Sequence, residues 1–141
     1  MDSNPFALLI DPDDLDWIET GSGNAMKVLR VSEETNGWTA LIKAAAGTVN
    51  ARHRHLGPAD FFVISGSIEY RGGFARAGAW VYEPAGVLHE ATSHPEETVY
   101  LANVHGPIAM LDENDNVIRI SDGASMAKLA ALAGRTATSV A

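Results

Sequence analysis

The chain predicts an all-β protein, a barrel or sandwich of short strands. Three observations carry this. Short segments rich in Val, Ile, Thr, Tyr, Phe and Trp recur from residue 26 to residue 120. Gly-, Pro- or Asn-bearing breaks separate them at short, regular intervals. Several of the segments alternate apolar and polar residues, the period of a strand with one buried face.

Taken in order, residues 11–17 (DPDDLDW) read as a turn or short helical entry whose acids form a solvated face. Residues 26–31 (MKVLRV) alternate as a strand, and Asn36-Gly37 marks a hairpin, because tight hairpin turns need positive φ. Residues 38–44 return. Gly47 introduces a strand bearing His53 and His55. Residues 60–66 read as a buried strand, continued by 67–71 and turned at Gly72-Gly73. Gly78 precedes a strand over 80–84 that ends in Pro84. His89 to Thr92 opens another, residues 98–104 form one more, and 108–111 with 117–120 make a last hairpin. Residues 121–132 are Ala- and Leu-rich and predict a short C-terminal helix, followed by a frayed end over 135–141. Trp17, Trp38 and Trp80 read as core. The expectation is one domain over 1–141, with a barrel core at about 26–120 and a tail at 121–141.

Bulk composition narrows the function. The 141 residues are 46% hydrophobic and 20% charged, enough to bury one core. A net charge of −8 argues against nucleic-acid and anionic-membrane partners. The absence of cysteine removes disulfides, thiolate ligands and a Cys nucleophile together. No run is long and apolar enough to span a bilayer, and residues 1–5 lack the features of a secretory signal, so a cytoplasmic location is expected. No GxGxxG, P-loop or GxSxG motif is present. Asp112-x-Asn114-x-Asn116 imitates a calcium loop, but Val117 stands where that loop needs glycine and Gly123 where it needs glutamate, so it reads as a hairpin turn.

The chemistry lies in His53-Arg54-His55 and in Pro84-Ala85-Gly86-Val87-Leu88-His89. Imidazoles spaced i, i+2 on a strand share a face. A third, following a Pro-x-Gly turn on another strand, completes one side of a coordination sphere. Three protein ligands with positions left open describe a reactive metal site. His94, beside Pro95, reads as a loop residue. His105 shares parity with Val99 and Leu101 and is a candidate pocket residue, with a structural histidine as the alternative.

Gly47, five residues, His53-x-His55 and then Gly66 resemble the first cupin motif. Gly78, five residues and Pro84-x-Gly86-x-x-His89 resemble the second. The resemblance implies a double-stranded β-helix (jelly-roll) barrel. The family's first motif carries a glutamate ligand at the position of Ala59. Asp60 is one step away, on the opposite strand face. The metal site is therefore expected to be His53, His55 and His89 alone. This is similar to the three-histidine non-haem iron dioxygenases of the acetylacetone and 2,4'-dihydroxyacetophenone dioxygenase type, which use Fe(II) and O2 to cleave a C–C bond beside a carbonyl. By offset from the histidines, the resemblance assigns a catalytic arginine and glutamate to Arg71 and Glu83. It puts a tyrosine of that outer shell at Phe61 and a threonine at Thr92. Phe61 and Val63 share the parity of Ala59 and are expected to wall the pocket with Thr92 and His105. The implied cofactor is a divalent metal, Fe(II) before Zn or Ni. The implied partners are a small-molecule substrate, O2 and further copies of the chain in a homodimer or homotetramer. The alternative is a metal-bound cupin acting as a sensor or small-molecule-binding module, like the cupin half of zinc-dependent anti-sigma proteins.

Overall fold

A computed structural model of the chain describes residues 8–32 and 34–132; residues 1–5 and the expected frayed end at 135–141 lie outside these. The acidic entry is a single 3-10 turn, Pro12–Asp14, capped by the Asp11 carboxylate, which accepts from the Asp13 amide. The strands are β1 Ile18–Gly21, β2 Asn24–Ser32, β3 Gly37–Ala44, β4 Val49–Asn50, β5 His53–His55, β6 Ala59–Ser65, β7 Ser67–Tyr70 and β8 Gly73–Arg76. They continue with β9 Trp80–Glu83, β10 Leu88–His89, β11 Thr92–Ser93, β12 Thr98–Val104, β13 Ile108–Leu111 and β14 Val117–Ser121. One helix follows, α1 Gly123–Leu132.

The strands form a six-stranded sheet in the order β1-β2-β3-β12-β6-β9 and two four-stranded sheets, β10-β5-β13-β14 and β4-β11-β7-β8. All pairings are antiparallel. The jumps from β3 to β12 and from β5 to β13 are the long crossovers of a jelly roll. On the central strand β12, Tyr100, Ala102 and Val104 are buried, while Val99, Leu101 and Asn103 turn outward. The inward set packs with Trp38, Ala40, Ala59 and Val63.

Two glycines explain themselves by contact and backbone. Gly66 has φ +80, and a Cβ there would meet the Glu97 carbonyl at 2.3 Å, so only glycine joins β6 to β7 beside β12. Gly86 has φ +82 at the third position of the Pro84–Val87 turn, the place where a type II turn needs positive φ. The turn between β7 and β8 falls one residue earlier than the sequence suggests. Tyr70 pairs with Gly73, so Arg71 and Gly72 are its two central residues.

Helix α1 begins one residue after its cap. The Asp122 carboxylate accepts from the Ser125 amide, and Ser125 Oγ accepts from the Asp122 amide, a reciprocal cap contributing about 1 kcal/mol. The helix lays Met126, Leu129 and Ala130 on Val28 and Val31 of β2. The core reading of the tryptophans holds for Trp38 and fails for Trp80. Trp80 is 62% exposed and stacks on Tyr82 along the edge strand β9, because it belongs to the strand's outward set. Trp17 is half-buried beneath the ammonium groups of Lys27 and Lys43. No helix among the described residues is long and apolar enough to cross a membrane.

Candidate metal centre

His53 and His89 face each other directly across the β5–β10 ladder, and His55 lies two residues along β5 on the same face. Strand alternation therefore gathers three imidazoles. Their ring centroids are 4.5 Å (His53–His89), 4.9 Å (His53–His55) and 5.6 Å (His55–His89) apart. One ligand atom from each lies within 4.8 Å of the others. His55 and His89 are buried, and His53 is half-buried.

The backbone sets the ring chemistry. His53 Nδ1 donates to the Ala51 carbonyl at 2.9 Å, and His89 Nδ1 donates to the Glu90 carbonyl at 2.9 Å. A carbonyl only accepts, so both Nε2 atoms carry lone pairs. His53 Nε2 points at His55 Nε2 across 3.2 Å. The buried His55 Nδ1 has no hydrogen-bond partner among the described residues, leaving that ring's tautomer to be set at Nε2. Burial, reinforced by the neighbouring imidazoles, depresses the His55 pKa to about 3, and burial likewise takes His89 to about 4. His53 is lowered for the same first reason. Three neutral imidazoles fit a divalent ion: His53 and His89 present Nε2 lone pairs, and His55 presents a third once its proton moves from Nε2, where it is donated to His53, to the unpartnered Nδ1.

Around the triad the expected residues separate. Ala59 is fully buried and pairs with Glu83 across the β6–β9 ladder, so a carboxylate stands beside the position where the usual ligand is missing. Glu83 is buried; its Oε1 lies 3.6 Å from His89 Nε2 and has no hydrogen-bond partner among the described residues, and its Oε2 lies 3.5 Å from an Arg71 guanidinium nitrogen. Burial raises the Glu83 pKa despite that guanidinium, whose half-exposed charge is screened by water. Arg71 also donates to the Leu88 carbonyl at 3.2 Å and, through Nε, to the Tyr70 hydroxyl at 3.0 Å. It adopts φ +47, the left-handed region that disfavours a non-glycine residue. Asp60 is on the outer face, accepting from Asn103 Nδ2.

The imidazoles open into a cavity of about 210 Å³ between the large sheet and the two small ones. Phe61 and Thr92 line it. Val63 does not: it points inward, as its parity requires, but lies further along β6 in the packed core with Ile68 and Ala75. His105 does not either. Its parity with Val99 and Leu101 is the outward parity of β12, and its side chain is 45% exposed, 3.9 Å from Asp60. Arg71 and Glu83 are not among the residues that line the cavity. Sequence reasoning missed Tyr70, Tyr100 and His94. Tyr70 stands edge-on to His89 with ring centroids 5.1 Å apart, and with Tyr100 it gives the cavity two phenols although Phe61 supplies none. His94 lies in the loop after β11, as the sequence suggests, but it is buried and lines the cavity. The β4–β11 pairing, invisible in a single segment, pulls it inward.

A model of the ChrR cupin-like domain matches residues 6–109. The acetylacetone-cleaving enzyme of Acinetobacter johnsonii is 35% identical over 102 residues, 68% of this chain and 67% of that one. The crystal structure of an acetylacetone dioxygenase from Acinetobacter johnsonii superposes with a TM-score of 0.80 at 27% identity, covering 94% of this chain and 95% of that one. A candidate acetylacetone dioxygenase from Methylibium petroleiphilum superposes with a TM-score of 0.85 at 26% identity, over 93% and 99%. Barrel, motif spacing and kinship agree, and the chain belongs to the cupin superfamily, in its ChrR cupin-like family.

Proposed function

We propose that this chain is a non-haem Fe(II) dioxygenase that cleaves a C–C bond in a small β-diketone-like or hydroxyketone substrate. The observation that carries the reading is the triad itself: His53, His55 and His89 gather at one cavity, and among the described residues no carboxylate joins the set. The similarity to the acetylacetone-cleaving enzyme supports the reaction class. His53, His55 and His89 would hold the ion through neutral nitrogens, leaving its full charge for a bidentate monoanion such as an enolised diketone. When bound, a divalent iron supplies Lewis-acid stabilisation of an enolate and electron transfer to O2.

The chain's own residues do the rest. The carbonyls of Ala51 and Glu90 fix two of the ligand rings. Glu83 sets a carboxyl oxygen 3.6 Å from His89 Nε2, and Arg71 links Glu83 to the Leu88 carbonyl. Phe61, Trp38, Val104 and Ile108 keep the cavity dry around an oxygen-sensitive enolate. For a β-diketone, one O2 balances the cleavage as a carboxylic acid plus a 1,2-dicarbonyl, with both oxygen atoms retained in products. The expectation that copies of the chain pair is part of this reading. It is supported by the exposed strip of Phe62, Ile64, Trp80 and Tyr82 on β6 and β9.

The test is anaerobic Fe(II) loading followed by oxygen-electrode assay across diketones and hydroxyketones, with light scattering for assembly state. Oxygen uptake in step with acid formation supports the reading. Equal turnover under nitrogen overturns it, and tight zinc binding without oxygen uptake favours the sensor alternative.

A further inference from the structure

Tyr100 brings a phenol to the cavity and bonds it to nothing. It stands on the inward face of β12, opposite Ile42 of β3 and Val63 of β6. It lines the cavity and is 9% exposed, so nine-tenths of it is buried. Its hydroxyl makes no hydrogen bond among the described residues. Nor is the hydroxyl sealed. Asn24 Oδ1 and His55 Nδ1 are unpartnered and shut off from solvent, whereas the Tyr100 oxygen, also unpartnered, keeps accessible surface. On an inward-facing residue that surface is the cavity's. The ring neighbours cannot satisfy the hydroxyl. Tyr100 stacks on His94 with centroids 6.1 Å apart, but both His94 nitrogens are taken, Nδ1 by the Ser67 carbonyl and Nε2 by the Asn50 side-chain amide, each at 3.2 Å. Phe61, at 6.0 Å, has no polar atom to offer. A buried tyrosine O–H ordinarily finds a partner, and one left without is costly. Burial holds the phenol well above its usual pKa, so it stays a neutral donor. Phe61 joins this phenol to the metal centre, with its ring 6.1 Å from His55 and 6.4 Å from His89. Tyr100 itself makes no ring contact with the three ligand histidines.

We propose that the Tyr100 hydroxyl donates a hydrogen bond to a substrate oxygen outside the chelating pair, an ether, ester or ketone oxygen carried past the Phe61 ring. The substrate class narrows to diketone-like compounds bearing a further neutral acceptor. A neutral acceptor fits better than a carboxylate, since no Lys or Arg among the described residues lines the cavity to compensate a buried charge. A hydrocarbon tail leaves the donor unpaired, and sites built to hydrogen-bond a substrate discriminate against the analogue that cannot. The inference rests on the diketone reading of the metal centre.

Calorimetric titration of the Fe(II)-loaded protein under nitrogen tests it. The probes are 6-methoxyhexane-2,4-dione and 7-methoxyheptane-2,4-dione, each against the hydrocarbon with CH2 in place of the ether oxygen, octane-2,4-dione and nonane-2,4-dione. Tyr100→Phe removes one oxygen and keeps the ring. It is expected to cut the ether-to-hydrocarbon affinity ratio of at least one pair about fivefold. Its melting temperature is expected to match the unaltered protein's, because the hydroxyl has no partner in the fold. A lowered melting temperature would show a bond within the protein and overturn the proposal. Ratios that survive Tyr100→Phe, as when water alone serves the hydroxyl, overturn it too. So does equal weakening of ether and hydrocarbon, which puts the phenol on the chelate itself. Oxygen uptake measured in parallel separates the two readings: a Tyr100-dependent ratio without uptake retires the dioxygenase and leaves this contact standing. If no diketone binds, the carbon-13 resonance of Tyr100 Cζ in the zinc-loaded protein decides; the chain has 3 tyrosines, and Tyr100→Phe assigns the signal. A shift with tetrahydrofuran and none with cyclopentane supports the donor site, and no selective shift overturns it.

Discussion

The two polar clusters that line the cavity are built differently. The metal end comes from two short strands, β5 and β10, whose histidines meet because one ladder sets His53 opposite His89. The amide cluster comes from β2, β4 and the turn after β11: Asn24 is held in the β2–β3 pairing, while Asn50 and His94 are brought in by the β4–β11 pairing. The first is a local pattern repeated twice, and the second is a product of topology. Both hold buried polar atoms without a hydrogen-bond partner among the described residues: His55 Nδ1 and Glu83 Oε1 at the metal end, Asn24 Oδ1 in the amide cluster.

The largest expected effect breaks the metal end alone. His89→Ala removes one of three ligands, so metal stoichiometry measured by emission spectroscopy should fall well below one per chain, and oxygen uptake should drop by more than about 100-fold. In the amide cluster, Asn50→Leu should leave metal stoichiometry unchanged while costing about 1–3 kcal/mol of stability in denaturant titration, because Asn24 Nδ2 and His94 Nε2 lose their partner. Loss of metal in Asn50→Leu would mean that the two clusters are not separable.

This division also marks what was legible in the sequence. The i, i+2 histidines, the Pro-x-Gly turn and the strand periodicity are properties of contiguous residues, so the triad, the barrel and the C-terminal helix could be read directly. Parity along β6 correctly put Phe61 inside and Asp60 outside. Parity cannot say which of two faces is inward, and for that reason His105 was assigned to the wrong side of β12. Nor can it say where a cavity stops, so Val63 fell beyond its end. His94, Asn24 and Tyr70 carry no local signal at all, because their neighbours in space are far away in sequence.

A smaller effect sharpens the electrostatic side of the comparison. His55, His89, His53 and His94 all have pKa values lowered by burial. In the unfolded chain such groups take up a proton near pH 6.5, while in the fold they resist it. Stability should therefore be fully present above about pH 6.5 and fall as pH drops, towards about 4 for His89 and about 3 for His55. Glu83 works the other way, since its raised pKa returns some stability on acidification. The four imidazoles outnumber it, so the melting temperature of the metal-free protein should fall between pH 7.5 and pH 5. His55→Asn should flatten that slope. A melting temperature that rises over this range would contradict the buried, neutral state of the triad.

The smallest effect probes the rim of the metal end. Arg71 and Gly72 have φ +47 and φ +78, the pair of positive values a type I′ turn demands. Asparagine fits the first of these positions better than arginine, which is held there at a cost of about 1 kcal/mol. Strain retained at a turn whose side chain reaches Glu83 and the Leu88 carbonyl has a use only if those contacts matter. Arg71→Asn should therefore raise the melting temperature by about 3 °C. It should also lower oxygen uptake about tenfold by freeing Glu83, with metal still bound by the untouched histidines. The two changes must move in opposite directions. If Arg71→Asn gains stability and keeps full activity, the arginine serves the surface and has no part in the centre.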